Sequence, residues 1–260
     1  KVSDAVNDVV DKVSHDAGIE ATIYPTYGFL QNSDWVIPLR GWVHQQRRLP
    51  DHMINELVQA VIRCDDAELS NFSSRFEDFS DDSRSGHSVT IQFDGDNEQH
   101  AFQSSDINGL IEMTIRLPDS KAQALLRHQN SADRWLSFSV TSQGHQGNGR
   151  VNLIETSGLS LVSDIDDTIK VTEVPGEKGV VLKNTFCHNF VSVPGMSEKY
   201  WGLGNAAVHY VSGGPWQLYQ PLSEFIARAG FPAGTYHFNY FPKNFVSADT
   251  RSALIDSICG

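Results

Sequence analysis

Residues 159–171 read Leu-Ser-Leu-Val-Ser-Asp-Ile-Asp-Asp-Thr-Ile-Lys-Val, an apolar strand that runs straight into acids. Asp164, Asp166 and Asp167 place three carboxylates within four positions, and Thr168 follows. Elsewhere such a cluster is a turn or a helix cap. Here the strand delivers it to the carboxyl edge of a sheet, where open α/β proteins bind ligands. Alternation points Asp164 and Asp166 differently, so one carboxylate can attack phosphorus and share a cation while the other protonates the leaving oxygen. Like charges this close call for a divalent counter-ion, and all-oxygen ligands favour magnesium over zinc.

Outward from this window, the next apolar strand, Val208–Val211, runs into Ser212-Gly213-Gly214-Pro215-Trp216. A helix is predicted over Gln217–Ala229 and a third strand over Thr235–Phe241. Strands alternating with a helix describe a parallel sheet with its site at the strand ends. Ser212 and the backbone of Gly213 are then candidate phosphate holders, with amides at the following helix start. Ser-Gly-Gly alone is ordinary turn chemistry, and it gains meaning from the acidic strand some 45 residues earlier.

The first part of the chain reads differently. β-like runs recur at 21–24, 35–43, 88–93, 110–117, 135–141 and 151–155, alternating or rich in β-branched and aromatic residues. Helices are expected over the valine stripe of residues 2–13 and over 51–64. Residues 65–87 hold seven acids between 65 and 82 and read as a long exposed loop or short helix. The glycine-rich stretch Gln143–Arg150 is the linker candidate. Acids outnumber bases 22 to 13 over residues 1–150 but 10 to 7 over 151–260, which also suggests two units. The expectation is an α+β chain: a mainly β, sandwich-like domain over 1–150, then an α/β catalytic domain over 151–260.

A net charge of −12 opposes nucleic-acid binding, and no run of about 18 apolar residues suggests a membrane span. Cys64, Cys187 and Cys259 are too far apart for a CxxC motif. One pair forms a disulfide in an oxidising compartment, or all three are buried thiols. The start at Lys1 and the sequon at Asn71-Phe72-Ser73 lean towards a processed, secreted protein.

Several segments together resemble a known family: SDIDDTIKVTEV from Ser163, NTF at 184–186, VPGMSEKYWGL at 193–203, HYVSGGPWQLYQPLSEFI at 209–226 and GFPAGTYHF at 230–238. They are similar to the haloacid-dehalogenase-like phosphatases with the Asp-x-Asp-x-Thr signature and, within them, to the actin-patch phosphatidate phosphatases. The resemblance implies a Rossmann-like catalytic domain that hydrolyses phosphatidate to diacylglycerol. It makes Asp164 the nucleophile that forms an aspartyl-phosphate and Asp166 the general acid, then base. Magnesium would be held by the Asp164 side chain and the Asp166 carbonyl, while Thr168 and Ser212 would position phosphate. Residues 170–205 would flap over the site, where Phe186, Phe190, Tyr200 and Trp201 either contact acyl chains or form cap core.

Two departures stand out. Gly214 sits where a second small hydroxyl residue is expected before Pro-Trp. The family's phosphate-binding lysine and last metal acid are unassigned, since neither Lys243 nor Asp256 matches by resemblance; Asp249 and Asp256 are the first to test. The catalytic domain is therefore expected to be incomplete at its C-terminus. Other readings keep the chemistry with a soluble phosphomonoester or phosphoprotein, or make the chain a catalytically incomplete binding module. A phospholipid substrate implies peripheral membrane contact; the family's actin-patch members are intracellular.

Overall fold

The computed structural model describes residues 18–46 and 64–239. The helices expected over 2–13 and 51–64 fall outside them, apart from Cys64, as do Lys243, Asp249 and Asp256. In chain order the elements are β1 (Ile19–Ile23), β2 (Thr26–Gln31), β3 (Asp34–Gln45), α1 (Leu69–Ser80), β4 (Asp82–Ser83), β5 (Val89–Phe93), β6 (Gln99–Ala101), β7 (Leu110–Pro118) and α2 (Asp119–His128). There follow β8 (Trp135–Ser142), β9 (His145–Ile154), β10 (Ser160–Asp164), α3 (Lys178–Phe186), α4 (Met196–Trp201), β11 (Ala207–Pro215), α5 (Tyr219–Arg228) and β12 (Gly234–Asn239). The chain is thus mixed α and β, with a large sheet and few helices. Among the described residues no helix is long and apolar enough to cross a membrane.

Strands β1–β9 form one sheet in which β3 is the spine. β1 and β2 lie end to end along one side of β3, through Ile19–Ile23 on Gly41–Gln45 and Phe29–Gln31 on Asp34–Val36, while β7 pairs with β3 as well. The sequence suggested a β-sandwich or an open barrel. The strands form one hydrogen-bonded path, whose two halves are joined by a parallel pair, β2 with β9. Alternation explains the core: Val89, Ile91 and Phe93 of β5 and Leu136, Phe138 and Val140 of β8 point inward, all at most 1% exposed. α2 closes this core with Ala122, Leu125 and Leu126.

Gln143–Arg150 is not a linker. Gln143 and Gly144, at φ +45° and +88°, make the tight turn of the β8–β9 hairpin, and the rest of the stretch is strand. Two left-handed residues suit a two-residue hairpin, because their twist matches that of the strands. The large sheet ends at Ile154 and the next sheet begins at Ser160.

The second sheet has three parallel strands in the order β10-β11-β12, with α5 joining the last two. Its core is shared with the first part of the chain. Tyr24, Trp42, Phe72 and Phe79 are buried in one cluster with Ile165, Ile169, Phe186, Tyr210 and Trp216. Tyr24 stacks on Trp216 with ring centroids 4.0 Å apart. Of the two readings of the acidic 65–87 segment, loop or short helix, the helix is found, but it is not merely a solvated face: α1 sends Phe72, Arg75 and Phe79 into this core. Cys64, just ahead of α1, forms a disulfide with Cys187 at the end of α3.

Candidate active site

β10 is covered on one face only. Leu161 packs against the core and Ser163 is 3% exposed, whereas Val162 is 68% exposed, so the strand is not the fully buried one its apolar run predicted. Among the described residues β10 pairs with β11 alone. Asp164 ends the strand and is exposed. The loop after it is pinned by Ile165 and Ile169, both fully buried four residues apart, which leaves Asp164, Asp166 and Thr168 less buried than either isoleucine. The amides of Thr168, Ile169 and Lys170 converge on the Ile165 carbonyl at 3.3, 3.0 and 3.0 Å.

The three aspartates have separate environments. Asp167 is left-handed at φ +58°, a conformation aspartate tolerates better than most residues. Its carboxylate accepts the amides of Thr172, Glu173 and Val174 at 2.8, 2.7 and 2.6 Å, so it shapes the loop. Asp166 is held at both oxygens. Oδ1 accepts from Thr172 Oγ1 at 2.7 Å and pairs with Lys170 Nζ at 2.9 Å, while Oδ2 accepts from Ser212 Oγ at 3.1 Å. Asp164 receives the Thr168 hydroxyl at 3.1 Å. Loss of water around its base, with the charges of Asp166 and Asp167, holds its carboxyl above the usual aspartate range despite that hydrogen bond. Burial pulls Lys170 down from the lysine range, against the opposing pull of Asp166.

Ser212 reaches the site because Asp164 registers with Val211 on β11, one residue before it. Its oxygen also accepts the Gly214 amide at 3.0 Å. A Cβ on Gly214 would lie 3.2 Å from that oxygen and 3.3 Å from Leu218 Cδ1, tight contacts that glycine avoids. Gly213 is exposed with open space around its Cα, and its carbonyl accepts from Asn239 Nδ2 at 2.9 Å. The expected helix start at this turn is displaced: β11 runs on to Pro215, and a 3-10 turn over Trp216–Leu218 precedes α5.

All five residues singled out from sequence, Asp164, Asp166, Thr168, Ser212 and Gly213, thus belong to the ends of β10 and β11 and the loop between them. Of the four aromatics considered for acyl contact, Phe186 and Tyr200 are core residues, and Tyr200 Oη lies 2.7 Å from Ser163 Oγ. Trp201 is 59% exposed but binds the Gly230 carbonyl near the amino ends of the strands, opposite the acids. Phe190 packs against Lys170 and Arg75, which lie 5.0 and 3.7 Å from its ring centroid. Sequence reasoning missed Lys170 and Thr172, although Lys170 lies one helical turn from Asp166.

The donors around Asp164 are oxygens, and its carboxylate meets a hydroxyl whereas Asp166 already has Lys170. A hard divalent cation fits the carboxylate that has no cationic partner among the described residues. The other acidic cluster, Asp96, Glu98 and His100, is answered by Lys121 Nζ at 2.6 and 2.7 Å from the two carboxylates.

Residues 159–257 match the family model described as "Phosphatidate phosphatase APP1, catalytic domain". The chain is 34% identical over 119 residues to the uncharacterized protein C29B5.04c of Schizosaccharomyces pombe, which covers 42% of this chain and 20% of that protein. It is 36% identical over 107 residues to phosphatidate phosphatase APP1 of Saccharomyces cerevisiae, covering 39% and 18%. The chain therefore spans about a fifth of the length of these relatives.

Proposed function

We propose, from the match of residues 159–257 to the catalytic-domain model of phosphatidate phosphatase APP1, that this protein is a magnesium-dependent phosphatase that converts phosphatidate to diacylglycerol and phosphate. The observation that carries this reading is the contrast at the end of β10: Asp164 is exposed and has no cation at its carboxylate among the described residues, while Asp166 beside it is fixed by three side chains. That contrast supports reading Asp164 as the attacking carboxylate and Asp166 as the proton carrier.

In this reading an Asp164 oxygen attacks phosphorus and the phosphorus–oxygen bond to diacylglycerol breaks. Asp166 gives its proton to the departing oxygen. Water then loses a proton to Asp166 and attacks the aspartyl-phosphate, whose acyl phosphate bond breaks to release phosphate and restore Asp164. Thr168 and Ser212 steer carboxylates and phosphate oxygens, and the exposed Gly213 leaves room for a phosphate to approach the backbone. Magnesium would be held by the Asp164 carboxylate and the Asp166 carbonyl, and would supply positive charge against the carboxylates and phosphate.

The parallel β10-β11-β12 sheet supports reading this part as a haloacid-dehalogenase-type α/β domain, with the division from the mainly β part near residue 150. The substrate places the protein at a lipid surface, where acyl chains stay in the lipid while the headgroup reaches Asp164. The Cys64–Cys187 disulfide supports an oxidising, secreted setting. The sequon adds little support, because Asn71 already donates its amide to the Cys187 carbonyl at 2.8 Å and to Asn189 Oδ1 at 3.2 Å.

The test is phosphate release from phosphatidate vesicles by the full chain with magnesium and with chelator, beside Asp164→Asn. Activity that needs magnesium and disappears in Asp164→Asn supports the reading. Turnover by pure Asp164→Asn would eliminate the aspartyl-phosphate route, and release only from water-soluble phosphomonoesters would reassign the substrate.

A further inference from the structure

Lys170 is 1% exposed, a burial rare for lysine unless its charge is paired. Two polar partners and a ring surround it. Nζ pairs with Asp166 Oδ1 at 2.9 Å, donates to Thr172 Oγ1, and lies 5.0 Å from the Phe190 ring centroid. Thr172 passes its own hydrogen to the same Oδ1 at 2.7 Å, closing a triangle of ammonium, hydroxyl and carboxylate. The triangle is backed from outside the loop: Arg75 of α1 lies 3.7 Å from the Phe190 ring and donates to the Thr185 and His188 carbonyls at 3.1 and 2.6 Å.

The two oxygens of Asp166 are thereby made unequal. Oδ1 is engaged by the buried ammonium and the Thr172 hydroxyl, so its hydrogen-bonding capacity is spent inside the loop. Oδ2 instead accepts from Ser212 on the neighbouring strand, whose preceding residue Val211 registers with Asp164. We propose that Lys170 is a positioning residue that, with Thr172, locks Oδ1 of Asp166 and so reserves Oδ2 for proton exchange with the leaving group and the attacking water. This rests on the phosphatase reading above. It also gives the mainly β part of the chain a place in the chemistry, since Arg75 helps to hold the ring against which Lys170 packs.

A buried pair that only stabilises the loop would lower all activities alike when broken. A pair that aims a proton donor matters most when the leaving oxygen is basic. The experiment compares wild type, Lys170→Met, Asp166→Asn and the double variant on phosphatidate and on p-nitrophenyl phosphate, whose leaving group needs little protonation. Lys170→Met is expected to lose at least ~10-fold in kcat on phosphatidate, part of the roughly 100- to 10,000-fold that general acid–base help supplies in full. It should lose several-fold less on p-nitrophenyl phosphate, and nothing further in the Asp166→Asn background. Should Lys170→Met fail to fold, Thr172→Val removes the other donor to Oδ1 and is expected to show the same substrate dependence more weakly. Equal losses on both substrates, or full additivity with Asp166→Asn, overturns the proposal while leaving the phosphatase reading intact. A wild type that releases phosphate from neither substrate overturns both.

Discussion

Ser212 donates its hydroxyl to Oδ2 of Asp166 across the ends of two neighbouring strands, 3.1 Å apart and 46 residues distant in sequence. The residue expected to hold phosphate is therefore also a partner of the expected proton carrier. Asp166→Asn should slow phosphate release by roughly 100- to 10,000-fold. Ser212→Ala removes one hydrogen bond to a charged group, worth about 1.5–3 kcal/mol, and should cost roughly 10- to 100-fold. Steady-state kinetics on phosphatidate checks both, and an unchanged rate for Asp166→Asn removes it from acid–base catalysis.

The Cys64–Cys187 disulfide encloses a sequence separation of 123 residues and ties the approach to α1 to the end of α3. Cross-links of this kind typically contribute 2–4 kcal/mol. Cys64→Ser, or reduction of the wild type, should lower unfolding stability by about that amount in urea. Identical midpoints with and without reductant would show that the bond does not form in solution.

Gly234 opens β12 under the Tyr210 ring. A Cβ there would sit 2.6 and 2.8 Å from ring carbons and 2.8 Å from the Val208 carbonyl oxygen. Tyr210 is fully buried and its hydroxyl is committed to the Pro232 carbonyl at 2.7 Å, so the ring has little freedom to yield. Gly234→Ala should therefore cost about 1–3 kcal/mol as overpacking. Chemical denaturation reads this directly, and wild-type stability in the variant would mean that the ring shifts without strain.

Asp119, the first residue of α2, accepts Trp35 Nε1 at 2.8 Å and Gln123 Nε2 at 3.1 Å. These donors hold its carboxyl below the ordinary aspartate range. A depressed folded value means that the stabilisation is present above the unfolded value of about 3.9 and is lost as pH falls through the lower folded one. Asp119→Asn keeps an acceptor oxygen without the charge. The stability advantage of wild type over this variant should shrink as the medium is acidified below about pH 4, and parallel curves would refute the assignment.

The sequence made the strands legible where alternation was clean, as in β5, β7 and β8, and where an apolar run met polar residues, as in β10 and β11. It left α1 open between loop and short helix and hid its buried face, because seven acids obscured the stripe of Phe72, Arg75 and Phe79. α2 went unread although Ala122, Leu125 and Leu126 carry helical spacing, since Pro118 and a short span gave only one turn of stripe. β2 escaped because Gly28 interrupts its pattern; a Cβ there would meet Leu153 at 2.8 Å. Asp164, Asp166 and Ser212 were readable because the strand ends that carry them are local features. The partner of Cys64 was not, because chain spacing says nothing of which distant element closes on a thiol; Asp166 and Thr172 are near Lys170 in sequence, and what stayed hidden was its burial under Phe190.

The stacking of Tyr24 on Trp216 bears on how the molecule can be dissected. Tyr24 sits in the bend between the first two strands, and Trp216 follows the turn that carries Ser212. Phe72 and Phe79 sit in the same apolar cluster. Excising residues 159–239 would strip aromatic cover from Trp216, Phe186 and their neighbours and leave a sticky face in its place. Inactivity or aggregation of such a fragment would record the loss of that cover, with no bearing on the roles proposed for Asp164 and Asp166. Substitutions at single positions in the whole chain are therefore the cleaner instrument, and a melting curve with one joint transition for both sheets is the behaviour this shared interior implies.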